Sequence, residues 1–434
     1  MKAHRQLFTV SILLPASFLF AACSPDTGVS PEEDATAAVA QAATQIASEA
    51  AAGITINAIT EAPTGFDNLT NGFCLQADMD SSRAAFEAPE LFTDGIGPTF
   101  NNISCVSCHQ SPFLATGTGS QVTELRAGHF NGISFVDHPG GSLINDRATD
   151  RSIQEHILTG NEVQTLRLTI SIAGDGFVEA IDSNVIAAIA AAQPTAQRGT
   201  VIQVPVLEAG GTVRVGRFGW KNQNSSLLSF AADAYLNEMG ITNRLLSTEN
   251  TSNGTVVQGG PFDGKGDPAG VGEDDENDID EFTEFMRCLK APPRGPINAS
   301  VTRGQTNFNN AGCAVCHVGT INTVAAGSAI NGGAFTVPAA LGDKAIHPFS
   351  DFLLHNIGTG DGIVQNGGQG TRNQVRTSAL WGIGARTRFM HDGASLTVSA
   401  AITRHAGQAA AAANAFNNLG AAGQADLLAF VFSL

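Results

Sequence analysis

Basic residues are scarce in this chain. It has 23 Lys and Arg against 40 Asp and Glu, which gives a formal net charge of −17 over 434 residues. Because nucleic acids are bound chiefly through Lys and Arg contacts to phosphates, this balance excludes DNA and RNA as partners. It favours a small, basic redox protein as partner, although the same charge also serves solubility alone. The acidic run at 273–278 lacks the alternating spacing and the glycine of an EF-hand loop, so Ca²⁺ as a cofactor is unsupported.

Long apolar runs are also missing beyond the N-terminus. The first 22 residues combine a basic start at Lys2 and Arg5, a short apolar run and small residues before Cys23, as in a signal peptide. Cysteine directly after two alanines resembles a lipoprotein box, so we expect Cys23 to be acylated; the alternative is ordinary cleavage that releases a periplasmic protein. Residues 23–63 are rich in Ala, Ser and acids and are expected to form a tether. The sequence therefore predicts an exported, periplasmic protein with a soluble body, held at the outer membrane or cell surface by its lipid.

Cysteine is uncommon, with seven residues in all, and four of them fall into two similar pentads. These are Cys105-Val106-Ser107-Cys108-His109 and Cys313-Ala314-Val315-Cys316-His317. The C-x-x-C-H pattern is the attachment site of a c-type haem, in which two thiols add to the porphyrin vinyl groups and the His becomes the proximal iron ligand. A redox dithiol or half of a zinc site does not explain a His after both pairs. We therefore expect two covalently bound c-type haems.

Cys74 and Cys288 remain after the haem and lipid assignments. In an oxidising compartment they are expected either to form a disulfide or to be two buried free thiols, and their distance in the fold decides between these.

The two pentads lie 208 residues apart, which favours two haem domains. The proline-rich stretch at 292–296 is the natural break, so we expect cytochrome c-like haem domains at 64–296 and 297–434. Apolar spacing predicts helices at 181–192, 225–239, 278–289, 396–405 and 424–434 and around each pentad. A hairpin is predicted from strands at 201–207 and 212–218. The predicted fold class is mainly α with minor β.

Several further motifs occur in a characteristic order. They are GPTFNN (97–102), GFVEAI (176–181), GRFGWK (216–221), HPFSD (347–351), LLH (353–355), RTSALWGIG (376–384) and MHDG (390–393). Together with the pentads, they resemble the di-haem oxidoreductase family, which is related to bacterial di-haem cytochrome c peroxidases and to the di-haem enzyme of methylamine utilisation. The resemblance spans residues 64–434 and is strongest in the second half.

The resemblance implies ligands for the C-terminal haem. The related peroxidases take the distal ligand from a position fourteen residues beyond the His of the His-Asp-Gly turn, where they carry Met. In this chain that position is His405, so His317 and His405 are expected to close the C-terminal haem as a low-spin centre. His in place of Met is expected to lower the reduction potential. His391, the His of the turn, is then expected to be a structural residue or a haem-propionate contact.

For the N-terminal haem, the sequence does not identify the sixth ligand. His129 lies twenty residues after His109 and is a candidate, followed by His138 and His156, but an open or water-occupied site is favoured. Glu179 resembles the Glu that closes the distal pocket in the related peroxidases, where it would move a proton during O–O cleavage; the alternative is a capping Glu at a helix start.

Trp220 is expected either to relay electrons between the haems or to be a packing residue. The leading hypothesis is a peroxidase that reduces hydrogen peroxide, or another small oxidant, at the N-terminal haem, while the C-terminal haem relays electrons from a small redox protein. The alternatives are an electron-transfer lipoprotein with two six-coordinate haems and an oxidase that acts on a partner protein.

Overall fold

The computed structural model describes residues 58–110, 122–257, 273–274 and 277–434. The predicted signal peptide, Cys23 and most of the tether lie outside these residues. Residues from Ala58 to Leu434 form one compact unit.

Nine α-helices occur among the described residues. In chain order they are α1 (Gln76–Glu87), α2 (Asp175–Glu179), α3 (Ser183–Ala192), α4 (Leu227–Met239), α5 (Asp278–Cys288), α6 (Ala299–Asn310), α7 (Val398–Thr403), α8 (Ala410–Asn418) and α9 (Ala421–Phe432). Within this described part, no helix has the length and apolar character needed to cross a membrane.

Local signals explain where the central helices begin and end. At the start of α4, the side chain of Ser226 accepts a hydrogen bond from the backbone N–H of Ser229, and the helix ends at Gly240, whose φ of 75° suits glycine. The first turn of α5 carries three acids, and Arg287 lies in its last turn. Negative charges at the N-terminal end and a positive charge at the C-terminal end interact favourably with the helix dipole, which stabilises the helix.

The strands are short. They are β1 (Thr60–Glu61), β2 (Thr99–Phe100), β3 (Thr123–Phe130), β4 (Phe135–Asp137), β5 (Leu143–Ile144), β6 (Arg147–Ala148), β7 (Val163–Leu168), β8 (Gln203–Pro205), β9 (Val213–Val215), β10 (Thr251–Ser252), β11 (Thr255–Val256), β12 (Ile321–Asn322), β13 (Ala329–Ile330), β14 (Phe335–Thr336), β15 (Lys344–Ile346), β16 (Leu354–His355) and β17 (Val375–Arg376). Strand β3 pairs antiparallel with β4, β5 and β7, and in the last pair Thr123 lies opposite Leu168.

The predicted fold class, mainly α, is wrong. Of the described residues, 34% are in α- or 3₁₀-helices and 16% are in strands or isolated bridges, so the fold mixes α and β in several small sheets. The sequence pattern missed the sheet around β3 because this strand carries charged residues and Gly128, and most other strands are too short to show a period of two. The division near residue 296 into two cytochrome c-like haem domains stays a prediction.

The predicted hairpin and several helices are confirmed. Strands β8 and β9 pair antiparallel, with Gln203 opposite Val215 and Pro205 opposite Val213. Helices α3, α4, α5, α7 and α9 lie within or close to the predicted ranges. These elements have strong local signals, which is why sequence reasoning located them.

Two large apolar clusters form the core. The larger is built around Phe177, Phe285 and Leu353. The smaller lies between α6 and α9, and Cys313 and Ala314 of the second pentad pack against it. In that packing, Gly304 lies so close to α9 that a Cβ there would overlap the carbonyl oxygen of Asp426. Glycine therefore allows the two helices to approach each other closely.

Of the two alternatives for Cys74 and Cys288, the structure has the disulfide. The two Cα atoms are 5.9 Å apart, and the bond joins the segment before α1 to the end of α5, across 214 residues of chain. The side-chain amide of Asn71 donates to the carbonyl oxygens of Arg287, at 2.8 Å, and Leu289, at 2.9 Å, beside this bond. The cross-link thus fixes an early segment against the helix that carries Arg287.

Replacing both Cys74 and Cys288 with Ser is expected to lower the free energy of unfolding by about 2–5 kcal/mol, because the open unfolded chain gains conformational freedom. Urea unfolding of the double variant and of the oxidised wild type measures the difference. The wild type unfolded in reductant should lose the same stability; equal unfolding midpoints for all three samples would contradict this expectation.

Candidate haem sites

The two pentads adopt the same local structure. Each begins with a 3₁₀ turn, at Cys105 and at Cys313, and the backbone N–H of the His donates to the carbonyl of the first Cys, at 2.9 Å for His109 and 3.0 Å for His317. This turn brings both thiols and the imidazole to one cavity. None of the four pentad thiols forms a disulfide.

The first pentad opens into a wide cavity. Its volume is about 1260 Å³, and Cys105, Cys108 and His109 line it. Burial lowers the pKa of His109 to about 4, although a hydrogen bond to the backbone of Ile170 opposes the shift. The imidazole is therefore neutral at neutral pH, as an iron ligand must be.

The second pentad lines a much smaller cavity of about 200 Å³, which both His317 and His405 border. Carbonyl oxygens can only accept, so Nδ1 of His317 donates to Phe349 O at 2.9 Å and Nδ1 of His405 donates to Ala401 O at 2.8 Å. Burial lowers the pKa of both rings, to about 4 for His317. Each neutral ring therefore keeps a free lone pair on Nε2, the form in which His binds a metal.

These features fit a haem at each pentad. Each cavity has two free thiols beside an imidazole, and at the second pentad His317 shares its cavity with His355, His391 and His405. Of these three, His405 has only its Nδ1 engaged, whereas His355 and His391 engage Nε2. The residues that would hold the second haem are thus Cys313, Cys316, His317 and His405.

Six residues line both cavities and form a common wall. They are Leu168, Ile170, Ser171, Asp175, Trp220 and Arg376. The indole N–H of Trp220 donates to Leu168 O at 2.7 Å, and Arg376 donates through Nε to Gly219 O at 2.9 Å. Burial raises the pKa of Asp175 to about 7, and the charge of Arg376 opposes this shift. The predicted relay residue therefore lies where both haem sites meet.

A buried ionic network holds this wall. The carboxylate of Asp361 accepts from Arg167 at 2.7 Å and pairs with Lys221 at 2.9 Å, and all three side chains are at most 2% exposed. Burial lowers the pKa of Lys221 to about 8, while Asp361 opposes the shift. Because Arg167 precedes Leu168 and Lys221 follows Trp220, the network fixes both sides of the wall.

The three histidines considered for the first haem lie in different places. The Nδ1 of His129 lies 2.7 Å from the carboxylate of Glu162, on the exposed side of β3 and outside the cavity lining. Both ring nitrogens of His138 are occupied by backbone groups, one of them the N–H of Leu158 at 3.3 Å. His156 is exposed and lines the first cavity.

Glu179 is fully buried but lines neither cavity. Its carboxylate accepts from Arg287 at 2.7 Å, from the backbone N–H of Leu227 at 2.9 Å and from Asn331 at 2.9 Å. Burial alone would raise the pKa of Glu179, but Arg287 and these hydrogen bonds hold it below its usual value. The side chain joins α2, α4 and α5.

Sequence reasoning missed a carboxyl pair that faces the first cavity. Glu124 on β3 and Glu238 in α4 hydrogen bond to each other, and both line the cavity. Arg126 donates to Glu124 at 2.8 Å, and Asn101 donates to Glu238 at 2.7 Å. The sequence offers no signal for this pair, since its members are 114 residues apart and belong to different kinds of element.

Two further histidines near the second pentad were not assigned as ligands. His355 pairs with Asp351 at 2.8 Å, and its Nδ1 lies 3.8 Å from the Sγ of Cys316. His391 lines the second cavity, donates from Nε2 to Thr359 O, and has its ring centroid 6.1 Å from that of Trp220. His391 thus contacts the wall as well as the second cavity.

Comparisons with known proteins place the chain in a family. No curated protein matches it. Two solved structures that resemble it are Kuenenia stuttgartiensis hydrazine synthase pressurised with xenon (13% identity, 87% of this chain and 90% of that chain, TM-score 0.38) and a MauG-like protein associated with microbial copper homeostasis (16% identity, 88% and 94%, TM-score 0.38). At this level of similarity, neither indicates what this chain does. Residues 114–434 match the family described as Di-haem oxidoreductase, putative peroxidase. The chain therefore belongs to this family and is an oxidoreductase that works with two haems.

Proposed function

We propose that this enzyme is a c-type di-haem peroxidase, which reduces hydrogen peroxide beside His109 and receives electrons through the His317 site. The observation that carries the proposal is the difference between the two cavities. The second is small and its lining includes the imidazoles of His317 and His405, whereas the first is larger and is lined by the carboxyl groups of Glu124 and Glu238. A centre closed by two imidazoles suits electron transfer, and an open one has room for a substrate.

Attachment would use the free thiols of each pentad. Cys105 and Cys108 would form thioethers to one haem, and Cys313 and Cys316 to the other. When bound beside His109, the haem supplies an iron coordination position at which peroxide is reduced. The lowered pKa keeps the half-buried His109 neutral, which is the form that could act as the proximal ligand.

The carboxyl pair Glu124–Glu238 would supply the proton that peroxide reduction needs. Although burial opposes it, Arg126 holds the pKa of Glu124 below its usual value, while burial and the charge of Glu124 raise that of Glu238 well above its usual value. The pair thus holds one proton at neutral pH and has a carboxylate beside it to receive another. Such a pair can protonate the outer oxygen as the O–O bond breaks.

Trp220 would carry electrons between the sites. Its indole borders both cavities and is fixed by the hydrogen bond to Leu168. The net charge of −17 suits a small, basic redox protein as the electron donor. The N-terminal pattern that ends at Cys23 supports a protein exported to the periplasm and anchored there by a lipid.

The resting ferric protein should show one high-spin and one low-spin haem by electron paramagnetic resonance, and peroxide should remove the high-spin signal first. This follows because, among the described residues, only the second cavity pairs two half-buried imidazoles whose Nε2 is left free by their hydrogen bonds, those of His317 and His405. Two low-spin signals would instead support an electron carrier. In that case His156→Ala should restore a high-spin signal, since His156 is the other His that borders the first cavity within the described chain.

Replacing His405 with Ala should convert the low-spin haem to a high-spin one. His405→Met should keep the haem low-spin and raise its reduction potential, within the range of about 0.8 V over which axial ligands set haem potentials. His391→Ala is the matched control, because His391 borders the same cavity. Loss of the low-spin signal in the control but not in His405→Ala would show that the ligand is His391.

Glu238→Gln is expected to slow the reaction with peroxide about 10²–10⁴-fold, because it removes the proton-holding member of the pair. Stopped-flow absorbance of the haem measures the rate. Glu179→Gln is the comparison: it should lower the free energy of unfolding by on the order of 3 kcal/mol, because Arg287 loses its buried partner, and change the peroxide rate less. If Glu179→Gln slows the reaction with peroxide more than Glu238→Gln does, the proton donor is Glu179.

A further inference from the structure

Tyr235 is the single tyrosine of the 434-residue chain. It lies in α4, is 2% exposed and lines the first cavity. Tyr235 has no role in the reaction with peroxide proposed above.

The phenol of Tyr235 is held by two carboxyl groups. Its hydroxyl lies 3.1 Å from Glu90 Oε1 and 3.0 Å from Asp278 Oδ2. A hydroxyl has one proton to donate, so a purely structural tyrosine needs a single acceptor. With two carboxyl groups at hydrogen-bond distance, the phenol of Tyr235 has a nearby acceptor for its proton.

The charges around this cluster favour a proton that moves together with an electron. Burial, then the charge of Asp278, raise the pKa of Glu90 to about 7, so this carboxyl exchanges a proton readily near neutral pH. Burial and the same two acids raise the pKa of Tyr235 far above its usual value. The phenol therefore does not lose its proton alone, but oxidation makes it a strong acid beside a ready acceptor.

A continuous set of aromatic rings connects this phenol to the first pentad. The ring centroids of Tyr235 and Phe282 are 5.1 Å apart, those of Phe282 and Phe86 6.0 Å, and those of Phe86 and His109 6.2 Å. Tyr235 is thus packed against the residues that support the proximal His.

We propose that Tyr235 is a redox-active residue of the first haem site, which gives up one electron to that site and its phenolic proton to the Glu90–Asp278 carboxyl pair. The proposal rests on the proposed reaction with peroxide, which supplies the oxidising equivalents.

The step balances. The O–H bond of the phenol breaks, and a new O–H bond forms on a carboxylate of the pair. One electron leaves Tyr235 and reduces the peroxide-oxidised first site by one equivalent. The products are a neutral phenoxyl radical, a carboxylic acid and a site one equivalent closer to its resting state, and the total charge is unchanged.

The test is electron paramagnetic resonance of the holoprotein freeze-quenched after mixing with hydrogen peroxide. We expect a radical whose hyperfine splitting narrows when the protein is made with ring-deuterated tyrosine, and any such change reports on Tyr235 because the chain has no other tyrosine. Ring-deuterated tryptophan is the matched control and should leave this signal unchanged. Tyr235→Phe should lose the signal, and Glu90→Gln should reduce its yield.

A second arm separates failure of this inference from failure of the peroxidase proposal. Flash photolysis with a photogenerated ruthenium(III) complex oxidises the same holoprotein without peroxide, and the tyrosine-derived radical should appear here too. If peroxide changes the haem spectrum but neither arm gives a signal sensitive to tyrosine deuteration, the role of Tyr235 is overturned alone. If peroxide leaves the haem spectrum unchanged, the peroxidase proposal fails, and the photochemical arm still decides the role of Tyr235.

Discussion

The arrangement of the two haem sites depends on the ion pairs that the buried carboxylate of Asp361 forms. The carboxylate pairs with Arg167 and Lys221, and each of these is the chain neighbour of a residue in the wall between the cavities. Burying three charges costs desolvation energy, so the network is weak evidence of stability. Its effect is positional: it joins β7, the Trp220 turn and the loop at residue 361, which lie far apart in the chain.

The two similar pentads share the wall but have chemically different surroundings. Both pentads form the same turn and present the same three donors. What differs is the opposite side of each cavity, where α7 and the turn after it bring His405 to His317, while β3 and α4 bring acids to the first site. The proposed division of labour between electron transfer and substrate reduction rests on these surroundings and not on the pentads themselves.

Two pairs of carboxyl groups lie around the first site. Glu124 with Glu238 on the cavity side, and Glu90 with Asp278 behind Tyr235, are two separate pairs held by different elements. Both pairs depend on α4, which carries Glu238 and Tyr235 and whose first backbone N–H is bound by Glu179. Glu179 therefore supports the acids of this site through the position of a helix, while Arg287 neutralises its own charge.

The sequence by itself determined the features that depend on short spacing: the two pentads, the helices with clear apolar periodicity and the β8–β9 hairpin. It also limited the disulfide to Cys74 and Cys288, once the other cysteines were assigned. Only the tertiary structure decided that the fold mixes α and β, that Trp220 borders both cavities, that Glu179 is enclosed by Arg287, and that Glu124 meets Glu238 in the first cavity. The physical reason is that local spacing places residues on one turn or one face of an element. These contacts instead arise from strand pairing and helix packing between separate elements, as for Glu179 and Arg287, which are 108 positions apart, and such packing leaves no periodic trace in the chain.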